Sequence, residues 1–220
     1  VKPEAKNFLQ GTIAAAGALG AYGLGRTTAQ QYRKKGYQET GSAFTSPAGE
    51  NILNQYTKTT GQPAPNVTTN MLPSGVSYSQ GNTISLNYPS ASKFTLGHEL
   101  GHQSIAKGKD VFSFVQDKTY SGLNPNVLGL ATVGIGAMVP SARRAASLAL
   151  GINYLNNSGR ILSEAEASRR GTNLLNQAGY PVSPAPGLYQ TASYVAAPAV
   201  SALGGLAAGR FLRSFTDSIQ

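Results

Sequence analysis

Apolar residues gather into small-residue runs at both ends of this chain and alternate with polar ones in the middle. The first run, Gly11 to Gly25, and the last, Val195 to Gly209, are mostly Gly and Ala with scattered larger aliphatics. In the last, Ala197, Ser201, Gly205 and Gly209 recur every fourth residue; Gly17, Ala21 and Gly25 do the same in the first. On a helix that spacing gives a small-residue face that a second helix can approach closely, so each end is expected to form a helix that wants a partner. The other terminus, another copy, lipid or a different protein would serve, and so would tight packing inside one soluble domain.

The period drops to two in the middle. Val76 and Tyr78, then Ile84, Leu86 and Tyr88, alternate with polar residues around Ser79-Gln80-Gly81-Asn82, which predicts a β-hairpin. Pro89 and Ser90 stop it, and Ser90 or Ser92 can cap the helix that follows. Upstream, Gly36 to Asn70 is rich in Gly, Pro, Thr, Ser and Asn and reads as a linker or surface segment with a short helix around Glu50 to Tyr56. Downstream of Lys107-Gly108-Lys109 come apolar helices broken near Pro125 and Pro140. A further helix from about Ser158 to Ala178 ends at Gly179-Tyr180-Pro181. The expected fold is mainly α with a small antiparallel β-hairpin or sheet, an α+β arrangement. Four segments result: an N-terminal apolar helix with a basic stretch at 1–35, a linker at 36–74, a core at 75–182, and a C-terminal Gly/Ala-rich helix at 183–220.

Composition narrows the classes. Charged residues are 12% of the 220 positions, about half the usual share. The net charge is +9, but the basic residues are scattered, adjacent only at Arg33-Lys34-Lys35, Arg143-Arg144 and Arg169-Arg170. That pattern argues against nucleic acid as a partner. Anionic lipid head groups or acidic partners account for the same charge. Four stretches carry no charge at all, at 7–25, 119–142, 145–159 and 171–209, and their lengths bracket the roughly 20 residues a membrane helix needs. Their polar content and a mean hydropathy of -0.18 make them candidates for membrane contact rather than evident spans. Lys2 and Lys6 before the apolar Phe8 to Gly25 resemble a signal peptide or anchor. With no cysteine, disulfides and thiolate metal ligands are excluded.

The chain's two histidines stand four residues apart in His98-Glu99-Leu100-Gly101-His102, which fits the HExxH pattern. On a helix this spacing puts both imidazoles on one face, one turn apart, where they can bind one Zn²⁺ with Glu99 beside them as general base. A tetrahedral catalytic zinc needs a third protein ligand, and without further His or any Cys it must be Asp or Glu. Asp110 and Asp117 follow the motif too closely to fold back onto it easily, whereas Glu164 and Glu166 lie on a later helix. At 100° per residue Glu164 lies with Ala167, Gly171, Leu174, Leu175 and Ala178 on the apolar side of its helix. Glu166 points the other way, among Arg169, Arg170, Asn173 and Gln177, where it can pair with Arg170 or join Ser163 in a capping box. A carboxylate aimed into a core needs a compensating charge, so Glu164 is the preferred ligand. Ser168, one turn further on the same flank, can hydrogen-bond a ligand side chain.

HELGH followed some sixty residues later by Glu164-Ala165-Glu166-Ala167-Ser168 resembles the gluzincin metallopeptidases. Among them it is most similar to the small-core families that include the membrane CAAX prenyl endopeptidases, the bacterial heat-shock membrane peptidases and the membrane neutral zinc metallopeptidases. The resemblance covers about residues 75–180. It implies that Glu164, first in an ExxxS string, is the third zinc ligand with Ser168 supporting it. It also implies that the strand Thr83-Ile84-Ser85-Leu86-Asn87 is an edge strand, with Ile84, Ser85 and Leu86 pairing with the backbone of a peptide substrate. The family's usual Asp is Ser168 here, and the apolar segments are shorter and more polar than its membrane spans.

The reaction these residues fit is peptide hydrolysis by zinc-activated water with Glu99 as the proton carrier. Gly97 and Gly101 leave room beside the metal for another helix or for substrate. The protein is expected to be membrane-associated or part of a larger assembly, with a peptide or protein as substrate and lipid or other protein chains as further partners. The rival reading is a structural or assembly protein, for example a phage virion or genome-delivery component, that retains a peptidase-like fold. The composition suits that reading: little charge, much Asn, Gln, Ser, Thr and Gly, and partner-seeking helices at both ends.

Overall fold

A computed structural model describes residues 47–70, 77–87, 91–108, 110–119 and 125–218, together with Thr12, Ala16, Gly17, Gly20, Gly23, Leu24, Gly25, Thr27, Thr28 and Gln31. Side chains at 117–119, 125 and 126 fall outside that description, as do Val76 and Tyr88 of the expected hairpin. The elements run α1 (Ala48–Thr60), β1 (Asn66–Asn70), β2 (Tyr78–Gln80), β3 (Thr83–Asn87), α2 (Lys93–Ala106), α3 (Val111–Thr119), α4 (Pro125–Met138), α5 (Ala142–Gln177) and α6 (Ala185–Ser218). The described positions between 12 and 31 are helical as well. The fold is therefore mostly helical with one small sheet.

Two compact units divide the chain: Gln31–Tyr120 with Gly159–Ser193, and Val1–Gln30 with Ser121–Ser158 and Tyr194–Gln220. The first holds the sheet, in the order β1-β3-β2. β2 and β3 form the expected antiparallel hairpin, with Ser79 opposite Ile84, and Gly81 at φ 57 makes the tight turn. β1 was not foreseen. It runs parallel to β3, with Val67 beside Ile84, so the sheet is mixed. Asn-Val-Thr-Thr-Asn has one strongly apolar residue in five and gives almost no periodic signal. It is held largely by β3 and by polar side chains: Asn70 Nδ2 donates to Ser85 Oγ at 2.7 Å and Asn87 Nδ2 to Asn70 Oδ1 at 3.0 Å.

The segment expected as a linker at 36–74 instead supplies core. Ile52 and Tyr56, one turn apart on α1, are fully buried with Ile84, Leu86, Phe94, Leu100 and Leu175. Each such side chain stabilises the fold by about 1.5–3 kcal/mol when wholly withdrawn from water. α2 begins with a reciprocal cap, in which Ser92 Oγ accepts from Thr95 N at 3.1 Å and Ser92 N donates to Thr95 Oγ1 at 3.4 Å. Of the two serines the sequence offered, Ser92 is the cap. α5 is longer than expected, running unbroken from Ala142, and Gly179 at φ 84 lets Tyr180 N close back on Leu175 O.

The second unit is helical. Its buried cluster is Ala145, Ala149, Ala202 and Leu206. The small-residue faces anticipated at the two ends are filled from within the chain: a Cβ on Gly17 would collide with Ala208, and one on Gly25 with Ser201. On α6, Gly205 meets Thr132, and Gly209 meets Val133 and Gly136 of α4. α6, at 34 residues, is the one helix among the described residues long and apolar enough to cross a membrane.

Candidate metal centre

The site is built by two helices of the sheet-containing unit. α2 carries HELGH, and α5 crosses it where glycines remove the obstacle of a Cβ on either side. Gly97 lies under Leu175 and the Gly171 carbonyl, and Gly101 faces the Ala167 backbone. The space beside the motif is therefore filled by a helix, one of the two occupants the sequence allowed. The crossing brings Glu164, one turn before Ala167, over the histidine face.

There Glu164 Oε2 lies 3.1 Å from His98 Nε2 and 3.4 Å from His102 Nε2. The three ligand atoms all fall within 4.8 Å of one another, the one such group among the described residues. A tetrahedral zinc with bonds of about 2.0–2.1 Å needs donors roughly 3.3 Å apart, the spacing at which the carboxylate oxygen stands from each imidazole nitrogen. His98, Glu99 and Glu164 are buried, and His102 is nearly so.

The outward-facing ring nitrogens are held too. Ser168 Oγ lies 3.1 Å from His98 Nδ1, and Gln116 Oε1 lies 3.2 Å from His102 Nδ1. A metal-binding histidine offers one ring nitrogen to the ion and has the other held by a hydrogen-bond partner; here both Nε2 atoms face Glu164 and an oxygen stands at each Nδ1. Ser168 was anticipated in this position. Gln116 was not, because it lies on α3, an element whose approach to His102 depends on tertiary packing. Gln190, buried on α6, reaches within 3.5 Å of His98 Nε2 and was also missed. Ring packing completes the orientation, with Phe94 stacked on His98 at 6.0 Å and the two imidazoles edge to face at 4.8 Å.

The electrostatics are those of a buried site built for a cation. Burial by itself pushes the His102 imidazole down. The Glu164 carboxylate and its hydrogen bond, with Glu99 adding its charge, overcome this and raise it to about 9. Burial likewise favours a protonated Glu164, but His102 and His98 hold it well below the ordinary carboxylate range. A carboxylate kept ionised in the interior beside two ring nitrogens is the donor set a divalent metal requires.

Glu166 pairs with Arg170 as expected, Arg170 Nε donating to Oε1 at 2.8 Å, and with Arg169 through two bonds of 2.7 Å. It is buried rather than surface-facing, because Arg170 folds over it to reach Ser104 O and Asp110. The alternative capping box with Ser163 does not form, since α5 passes straight through and Ser163 Oγ instead donates to Gln116 Oε1 at 3.3 Å. Asp110 in turn accepts from Phe112 N and Ser113 N at 3.0 Å, opening α3. The chain Glu166–Arg170–Asp110 thus anchors the helix that presents Gln116 to His102.

The strand assignment needs correction. Ile84, Ser85 and Leu86 lie in β3, the central strand, with β1 on one side and β2 on the other, and all three are buried. Ile84 and Ser85 pair with strands on both sides, and Leu86 pairs with Thr69 of β1. The edge next to the metal helix is β2, where Gln103 Nε2 donates to Ser79 Oγ at 2.6 Å. A hairpin read from sequence does not say which strand gains a third neighbour. Comparison with protein-family models, with curated proteins and with solved structures finds no match to this chain.

Proposed function

We propose that this protein is a zinc-dependent endopeptidase of gluzincin type, with His98, His102 and Glu164 as metal ligands and Glu99 as general base. One observation carries the reading: both Nε2 atoms of the HExxH motif converge on a single carboxylate oxygen from another helix, while both Nδ1 atoms are held by side-chain oxygens. Zinc held there would supply a Lewis acid able to polarise a scissile carbonyl and to make water acidic enough for deprotonation near neutral pH. Glu99, buried on the same helix turn and close enough for its charge to act on His102, takes up the water proton and hands it to the leaving amine. Ser168 and Gln116 fix the imidazoles, and the Gly97–Gly171 and Gly101–Ala167 approaches fix Glu164 against them. An extended peptide adds to the sheet at β2, in antiparallel or parallel sense, by main-chain hydrogen bonds.

The enzyme works at a membrane or inside an assembly, a reading supported by α6 and by the scarcity of charge. The rival, an assembly component such as a virion or genome-delivery protein that keeps the fold, draws on the large apolar side chains that the helical unit leaves outside, Leu155 and Met138 among them. Zinc-loaded protein incubated with an unstructured polypeptide distinguishes the two. New N-termini detected by mass spectrometry, lost by about 10²–10⁴-fold in Glu99→Gln while zinc stays bound, support the enzyme. Full activity in Glu99→Gln contradicts the mechanism, and zinc without any cleavage favours the assembly reading.

A further inference from the structure

The helical unit leaves many large apolar side chains outside. Inside, Ala145, Ala149 and Ala202 lie with Leu128, Val133 and Leu206, and Gly136, Gly205 and Gly209 are pressed against neighbouring helices. Outside are Val127, Met138, Leu148, Leu155, Leu203 and Phe211, each between 51% and 79% exposed. A water-soluble bundle buries most of its largest apolar residues. Helices solvated by lipid have no hydrophobic drive to bury Leu, and they associate through small residues that let backbones approach.

The flanks of these helices also carry no charge. Residues 127–142, 145–158 and 194–209 contain no Asp, Glu, Lys or Arg. Of the charge-free run of α6, residues 185–193 belong to the sheet-containing unit, where Gln190 reaches His98, and residues 194–209 belong to this one.

The described charged residues of this unit are Arg143, Arg144, Arg210, Arg213 and Asp217, four positive to one negative. Arg143 and Arg144 stand exposed at the start of α5. Arg210 Nη1 donates to Pro140 O at 3.0 Å, which brings the far part of α6 to the same end, and Arg213 follows one turn later with Asp217 at 3.8 Å. Arg143, Arg144 and Arg213, with Asp217 as the one carboxylate beside them, suit the phosphate oxygens of an anionic surface; Arg210, its Nη2 buried, ties α6 to Pro140 instead.

We propose that this unit is a bilayer-inserted bundle whose large apolar side chains face acyl chains, and that Arg143, Arg144 and Arg213 seat one end among anionic phospholipid head groups. The inference rests on the membrane reading above and adds to it the inserted surface, the lipid charge and the residues that read it.

The test is to release the full-length protein from detergent into a mixture of two separately dyed vesicle populations, one of phosphatidylcholine and one containing phosphatidylglycerol as well. Flotation then shows where it goes. The expected result is strong preference for the anionic vesicles, reduced roughly thirtyfold in Arg143→Gln/Arg144→Gln, at about fivefold per arginine. The paired variant Leu148→Asp/Leu203→Asp is expected to float poorly with both, with its zinc content unchanged. Equal distribution between the populations, unaffected by the arginine changes, overturns the head-group contact and leaves the membrane reading standing. Failure to float with either population, the protein remaining in the aqueous layer as a soluble oligomer, overturns both.

Discussion

Gly101 and Ala167 set the separation of the two helices that carry His98, His102 and Glu164. A Cβ on Gly101 would overlap the Ala167 carbonyl, and backbone cannot swing aside as a side chain does. Gly101→Ala is therefore expected to destabilise the fold by about 1–3 kcal/mol and, by moving Glu164 away from the imidazoles, to weaken zinc binding by roughly tenfold or more. Gly151 supplies the control, since nothing lies within 4 Å of its Cβ position. Gly151→Ala is expected to raise stability by about 0.5–1 kcal/mol with zinc affinity unchanged. Thermal melts and a chelator competition read both.

Ser168 and Gln116 each hold one imidazole of the proposed zinc site. Ser168→Ala and Gln116→Ala are each expected to lower zinc affinity by about 10–100-fold with little change in melting temperature when zinc is saturating. Unchanged affinity in both would show that ring stacking alone orients the imidazoles.

Part of this site was legible in the sequence because its geometry is local. The i, i+4 histidines share a helix face whatever the fold, and the facing of Glu164 follows from helix periodicity once α5 exists. What depended on packing was not legible. Gln116 and Gln190 come from helices whose approach to α2 no periodicity encodes. β1 is a polar strand stabilised mainly by its neighbour, and its arrival is what moved Ile84, Ser85 and Leu86 from edge to centre. Glu166 was correctly paired with Arg170 but misplaced at the surface, because Arg170 covers it on the way to Asp110. The small-residue faces were visible, and only the structure identified their partners as each other and α4.

Acid should loosen the anchor of α3. The hydrogen bond from Arg170 holds Asp110 below its ordinary value, and those from Arg169 and Arg170 do the same for Glu166. Depressed carboxylates contribute stability that is present above their unfolded values of 3.8 and 4.5 and is lost as pH falls through the lower folded ones. Stability is expected to drop below about pH 4.5. Glu166→Gln should flatten that drop and cost about 1–3 kcal/mol at neutral pH by leaving Arg170 short of a partner. Asp110 is partly exposed, so Asp110→Asn is expected to cost less, about 0.5–1 kcal/mol. Chemical denaturation across pH measures each.

If substrate adds to the sheet at β2, its backbone amides matter more than most of its side chains. N-methylation scanned along a cleaved peptide is expected to lower kcat/KM by about tenfold at each amide that bonds β2, as the loss of one hydrogen bond of roughly 1–1.5 kcal/mol predicts. A flat scan would place the peptide elsewhere.

Bound zinc should also stabilise the protein, by about 4 kcal/mol at a thousandfold excess over Kd, and chelation should remove that gain reversibly. The most direct measurement is the zinc content of the purified protein by elemental analysis, beside Glu164→Ala. The account predicts about one zinc per chain, as the one three-ligand group among the described residues requires, and its loss from Glu164→Ala with the fold retained. A folded protein that takes up no zinc, or a Glu164→Ala variant that binds it as tightly as the parent, would contradict the proposed centre.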